Sequence, residues 1–71
     1  MNQVVMNVKE MIRTKGLKQY HVAMAAGFDP RHFSCMLTGR KVMRAEYIMP
    51  IAKALGTDPN TIYGYHQNGT A

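Results

Sequence analysis

The chain has 71 residues, a length that allows one small domain with a single hydrophobic core. Nine lysine and arginine residues against four acidic ones give a formal net charge of +5. A domain this basic has a nucleic acid as its leading candidate partner, although charge alone leaves a merely basic soluble protein equally open. The low aromatic content argues against a stacking platform for single strands.

The composition also argues against several other classes. The single cysteine, Cys35, cannot form an intramolecular disulfide, so a reducing cytoplasm is the expected compartment. No apolar run approaches the roughly 20 residues of a membrane span, and the N-terminus lacks the basic and apolar regions of a signal peptide. We therefore expect a cytoplasmic protein without membrane contact.

Glycines divide the chain into segments whose apolar residues have helical spacing. Each of these segments is followed by a glycine that can end a helix in the left-handed conformation. These glycines are Gly16, Gly27, Gly39, Gly56 and Gly64. The pattern predicts an all-α fold of five helices without a sheet.

The first predicted helix spans about residues 4–15. Its apolar stripe contains Val4, Val5, Val8, Met11 and Ile12. We expect Leu17 to turn inward as the second helix begins, and that helix covers about residues 18–26. The third helix is predicted over about residues 29–38.

The fourth predicted helix covers about residues 45–55 and contains Pro50, which cannot donate a backbone hydrogen bond. We therefore expect an irregular start near residues 45–47. The buried side of this helix is predicted to contain Ile48, Ile51, Ala52 and Leu55.

A second Asp-Pro pair, Asp58-Pro59, predicts a short fifth helix that buries Ile62 and Tyr63. The polar stretch after Gly64 has no capping signal. The sequence thus predicts one domain over residues 1–64 and a flexible tail over residues 65–71.

The stretch 19–36 has the layout of two short helices joined at a glycine. Ala23 is small where the helices would cross, and Gly27 suits a turn that needs a positive φ. Asp29 and Pro30 favour a new helix start. The apolar pair Phe33 and Met36 would face the core, which leaves another face outward. That outward face contains Arg31, Ser34 and Cys35.

At this point the sequence resembles the Cro and phage-repressor helix-turn-helix family, also called the XRE family, over about residues 8–64. The motifs that carry the resemblance are KGLKQ at 15–19, the Ala23 and Gly27 pair, Phe33 with Met36, Gly39-Arg40-Lys41, and IAKALG at 51–56. The resemblance implies a compact, lambda-repressor-like bundle with the helix-turn-helix in helices 2 and 3. It also implies a regulator, expected to be a repressor, that binds operator DNA as a homodimer and associates with the nucleoid.

The resemblance further implies roles for individual residues. Gln19 would grip a phosphate and brace the recognition helix, with Lys18 adding charge. Arg31 would read a guanine through its O6 and N7 atoms. The other positions implied to face base edges are Asp29, Pro30 and Cys35, and those implied to lie along the DNA backbone are Arg40, Lys41 and Arg44. Pro59 and Tyr65 are dimer candidates.

Some positions depart from the family pattern. Asp29 and Pro30 replace the usual polar readers, and Asp29 would be repelled by phosphate unless it caps the helix or accepts from a cytosine. Ile12 and Leu37 replace an Arg–Glu ion pair of many relatives, so we expect an apolar contact there. A bulky Phe33 and a small Ala26 would offset each other in volume if they touch.

Other functions fit the sequence less well. His32 and Cys35 share a helix with the spacing of metal ligands, but no second pair completes a site, so no metal is expected. No catalytic set or phosphate loop is present, so we expect no enzyme, no cofactor and no small-molecule ligand. The alternative that stays open is a protein-interaction module of the same fold, such as an antitoxin.

Overall fold

The computed structural model describes residues 3–64. Its five α-helices are α1 Gln3–Thr14, α2 Gln19–Ala26, α3 Pro30–Thr38, α4 Ile48–Leu55 and α5 Pro59–Tyr63, and a 3₁₀ turn covers Ala45–Tyr47. No strand occurs within residues 3–64, so the predicted all-α fold is confirmed. The dimer candidate Tyr65 and the expected flexible tail, residues 65–71, lie outside the described residues.

The turn between α2 and α3 shows how the helices end. Gly27 has φ of 86°, and its N–H donates to the Met24 carbonyl at 3.1 Å. The N–H of Phe28 then reaches back to the Ala23 carbonyl at 2.8 Å. These two bonds use carbonyls that the helix end would otherwise leave without partners. The left-handed conformation predicted for the glycines that end the helices is therefore confirmed here.

One hydrophobic core joins all five helices. Helix α2 packs on α3 and α4, while α1 packs on α3 and α5. The buried apolar residues are Val5, Val8, Ile12, Val22, Ala23, Phe33, Met36, Leu37, Ile48, Ile51, Ala52, Leu55 and Ile62. Most of the predicted inward faces are therefore confirmed.

Two inward predictions are wrong. Leu17 lies in the short link between α1 and α2 and is 40% exposed. Tyr63 is 38% exposed, because its neighbour Ile62 occupies the buried position of α5 and successive helical residues point about 100° apart.

The start of α4 is irregular, as predicted from Pro50. The chain makes the 3₁₀ turn first, and α4 then begins at Ile48. Pro50 consequently lies in the first helical turn, where its missing N–H leaves no helical bond unmade.

The positions of the absent Arg–Glu ion pair are apolar and buried. Ile12 on α1 is 8% exposed and Leu37 on α3 is 2% exposed, and both belong to one core cluster. The expected hydrophobic replacement therefore agrees with their burial. Burying apolar side chains in this way avoids the cost of removing two charges from water.

Helix α5 is attached to α1 by a side-chain bond. The amide nitrogen Nδ2 of Asn7 donates to the Ile62 carbonyl at 2.7 Å. The Asp58 carboxylate caps α5 by accepting from the Thr61 N–H at 2.8 Å. A helix of five residues is too short to be stable alone, so these contacts and the burial of Ile62 hold it in place.

Replacing Gly27 tests the turn before α3. We expect Gly27→Ala to lower the free energy of unfolding by about 1 kcal/mol, because an L-residue disfavours positive φ. No atom lies within 4 Å of the Cβ that alanine would add, so steric clash adds nothing. Gly27→Asn should lose less, since asparagine tolerates this conformation better. Urea unfolding of the three proteins measures the order, and equal losses for Ala and Asn would contradict a conformational cause.

Replacing Asn7 tests the link between α1 and α5. We expect Asn7→Ala to cost about 1 kcal/mol, because the part-buried Ile62 carbonyl loses its donor. Asn60→Ala, at an exposed position in the first turn of α5, is the control. Thermal unfolding compares the two variants, and an Asn7→Ala protein as stable as the parent would show that water replaces the bond.

Candidate nucleic-acid interface

Helix α3 has one buried face and one outward face. Phe33, Met36 and Leu37 are buried in the core. Arg31, Ser34 and Cys35 share the other face at helical spacing of three and four residues. Arg31 is exposed, whereas Ser34 and Cys35 are half-buried and Cys35 is a free thiol. Among these three residues, Arg31 is therefore the one that presents a charged and exposed side chain.

The first turn of α3 is capped as the sequence predicts. The Asp29 carboxylate oxygen Oδ1 accepts from the Arg31 N–H at 2.8 Å, and Pro30 is the first helical residue. Pro30 is half-buried. The cap places an acidic group beside the positive end of the helix dipole, which is stabilising. Of the two roles considered for Asp29, the capping role is the one that the hydrogen bond supports.

A pair of stacked phenylalanine rings fixes the angle at which the chain enters α3. Phe28 precedes the capping residue, and Phe33 is the fourth residue of the helix. Their ring centroids lie 6.0 Å apart with an interplanar angle of 20°. This is the hydrophobic staple, in which the residue before the cap packs on the first full turn. Phe28 is not among the predicted core or site residues, although the spacing in FDPRHF contains the signal for a staple.

Two further rings pack against Phe28. Tyr47, from the 3₁₀ turn, meets Phe28 edge-on at a centroid distance of 5.0 Å. His32, from α3, lies 6.1 Å from Phe28 and 6.2 Å from Tyr47. Tyr47 is therefore half-buried and packs against the core. Tyr20 and His21 are exposed.

The segment after α3, residues 40–44, is basic and held at two points. The N–H groups of Arg40 and Lys41 donate to the Cys35 carbonyl at 2.9 and 3.1 Å. Met43 packs against the core as the second anchor. The side chains that this arrangement leaves exposed are Arg40, Lys41, Val42 and Arg44. Lys41 and Arg44 line one cleft together with His32 and Tyr47.

The other predicted site residues lie elsewhere. Lys18 has extended backbone angles just before α2, and Gln19 is the first residue of that helix. Both are exposed, which suits contact with a phosphate. Pro59 is the half-buried first residue of α5, which packs mainly on α1 and α4.

Three of the four acidic side chains serve local structure, and the fourth, Glu46, is exposed in the 3₁₀ turn that follows the basic segment. Asp29 and Asp58 cap helices, and Glu10 pairs with Arg13 on the outside of α1. The hydrogen bond from Arg13 lowers the pKa of the Glu10 carboxyl. Within residues 3–64, no carboxylate forms an ion pair with Arg31, Arg40, Lys41 or Arg44. These four positive charges therefore have no ion-pair partner in the part of the chain that the structure describes.

Residues 3–64 offer neither a metal site nor a membrane span. Over residues 3–64, no three or more histidine, cysteine or acidic side chains are grouped so that they could hold a metal ion. No helix in the same part of the chain combines the length and apolar character needed to cross a membrane.

Comparison with known proteins identifies the family. A family model described as the Cro/C1-type HTH DNA-binding domain matches residues 7–68. No curated protein and no solved structure gave a significant match. The match covers both helices of the motif, the basic segment and α5. The chain thus belongs to the Cro/C1-type helix-turn-helix DNA-binding family.

Proposed function

We propose that this protein is a sequence-specific transcription regulator, a repressor of Cro type that acts by occupying an operator. The observation that carries the proposal is the capped helix α3, in which the exposed Arg31 precedes His32, a residue that lines one cleft with Lys41 and Arg44 of the basic segment. The guanidinium would bond O6 and N7 of a guanine in the major groove. Arg40, Lys41 and Arg44 would lie along the phosphate backbone, with Lys18 and Gln19 at a further phosphate.

The proposed protein works as a homodimer in the cytoplasm, where it associates with the nucleoid. Two copies would place their α3 helices in successive major grooves, about 34 Å apart on one side of the duplex. Pro59 and Tyr65 are the proposed dimer contacts. A dimer on a promoter operator would block polymerase by steric exclusion, without catalysis and without a cofactor.

Selection of random duplexes on the purified protein tests this proposal. We expect enrichment of two inverted half-sites whose centres are about one helical turn apart. A single enriched half-site would contradict the dimer, and no enrichment would contradict the DNA-binding function. In the second case a protein-interaction role, such as that of an antitoxin, becomes the better explanation.

Two substitutions separate base reading from backbone contact. We expect Arg31→Ala to lose roughly 1–3 kcal/mol of discrimination at one base pair of the half-site. Lys41→Ala should weaken all duplexes about equally and reduce the slope of log affinity against log salt by about one. Lys53→Ala, at an exposed position in the last turn of α4, is the control for loss of charge. Unchanged base preference in Arg31→Ala would show that the reading face is assigned wrongly.

Two substitutions of Asp29 separate the effect of its charge from the effect of its capping hydrogen bond. Asp29→Asn keeps a side-chain oxygen that can accept from the Arg31 N–H, but removes a negative charge that faces phosphates. We expect it to bind all duplexes more tightly, with a small change in stability. Asp29→Ala should lose about 1 kcal/mol of unfolding free energy, because the cap is gone. Binding isotherms and thermal unfolding of both variants provide the comparison, and weaker binding by Asp29→Asn would favour a direct contact with cytosine.

A further inference from the structure

A cleft of about 300 Å³ lies between the first turn of α3, the basic segment and the 3₁₀ turn. It is lined by His32, Lys41, Val42, Arg44 and Tyr47. Four of these side chains can donate a hydrogen bond, and none is acidic. Lys41 and Arg44 also supply two positive charges. This chemistry suits an anion with several acceptor oxygens.

The four donors come from different elements and differ in how firmly they are held. The His32 and Tyr47 rings meet edge-on, with centroids 6.2 Å apart and planes at 89°. Both rings also pack on Phe28, which stacks on the fully buried Phe33. The imidazole and phenol therefore form a wall supported by the core, and little side-chain entropy is lost when a ligand binds them.

The two cations complete the cleft from the exposed segment. A guanidinium such as that of Arg44 can bond two oxygens of one phosphate, and the ammonium of Lys41 acts as a compact charge. Val42 is 77% exposed at the same cleft. An apolar side chain between two cations can contact the sugar that adjoins a backbone phosphate.

We propose that this cleft is a phosphate clamp that binds one phosphodiester of the DNA backbone, with His32 and Tyr47 as donors beside Lys41 and Arg44. The proposal rests on the proposed function and adds two residues to it. Arg31 directly precedes His32 on α3. A phosphate bound in the clamp therefore fixes the position of the Arg31 side chain over the base pairs, and base reading depends on this backbone contact.

Substitutions that keep the rings test the donors. Tyr47→Phe removes only the hydroxyl group, and His32→Phe replaces the imidazole with a larger apolar ring that can still pack against Phe28. We expect each to weaken binding about tenfold on every duplex, as for loss of a hydrogen bond to a charged group. The salt dependence should be unchanged, since no cation is lost, whereas Arg44→Gln should reduce its slope by about one. Tyr63→Phe on α5 and Lys53→Gln on α4 are the matched controls.

A scan of the operator with single neutral methylphosphonates identifies the phosphate. We expect one position in each half-site where the neutral linkage weakens the parent protein about tenfold or more, but weakens Tyr47→Phe and Arg44→Gln much less. Such coupling shows that the protein groups and that phosphate act together. If the losses of affinity from the neutral linkage and from the protein substitution simply add at every position, the clamp is overturned. The operator-binding proposal is unaffected by that result.

Titration without DNA separates the clamp from the proposed function. Inorganic phosphate replaces chloride at constant pH and ionic strength, and amide and imidazole resonances are followed by NMR. Saturable shifts at His32, Lys41, Arg44 and Tyr47 that vanish in Arg44→Gln support the phosphate site. If these shifts occur but no duplex binds, the cleft is a site for a free phosphate-bearing ligand, and the operator proposal fails. If neither phosphate nor DNA perturbs the cleft, the clamp is overturned.

Discussion

The packing of Phe28 is the interaction on which the arrangement of the interface depends. Its ring stacks on Phe33 of α3 and meets Tyr47 of the 3₁₀ turn edge-on. Since Gly27 turns the chain immediately before it, Phe28 joins the end of α2, the start of α3 and the segment that leads into α4. Each such ring pair contributes about 0.5–1.5 kcal/mol beyond area burial. The orientation of the recognition helix is thus set by the core and not by its exposed residues.

The acidic and basic side chains have different roles in the structure. The acidic side chains Asp29 and Asp58 begin helices, and Glu10 is paired with Arg13, so most of the negative charge is used for local structure. The positions where many relatives carry a buried ion pair hold Ile12 and Leu37, which are buried and apolar. Consequently the interior needs none of the arginines and lysines. The basic segment can present its charge outward, where it can neutralise phosphates.

The sequence predicts the features that depend on periodic spacing or on neighbouring residues. It does not predict the contacts between side chains from different elements. The five helices, the caps at Asp29 and Asp58 and the irregular turn before Pro50 follow from residue types that act on their own neighbours. Phe28 and Tyr47 lie between helices, where no periodicity indicates an inward side, and their partners come from different elements. The sequence does not indicate the cleft beside α3 for the same reason, because the cleft forms only where α3, the basic segment and the 3₁₀ turn come together.

The residues at the start of α3 limit how this protein can read DNA. Asp29 and Pro30 occupy positions where relatives carry polar readers, yet one caps the helix and the other has no donor. Ser34 and Cys35 are half-buried, so Arg31 is the main group that we propose for contact with base edges. A single bidentate contact supplies only about 1–3 kcal/mol of discrimination. In the proposed complex the remaining discrimination would come from the shape and flexibility of the operator, and firmly positioned phosphate contacts are one way for a protein to sense them.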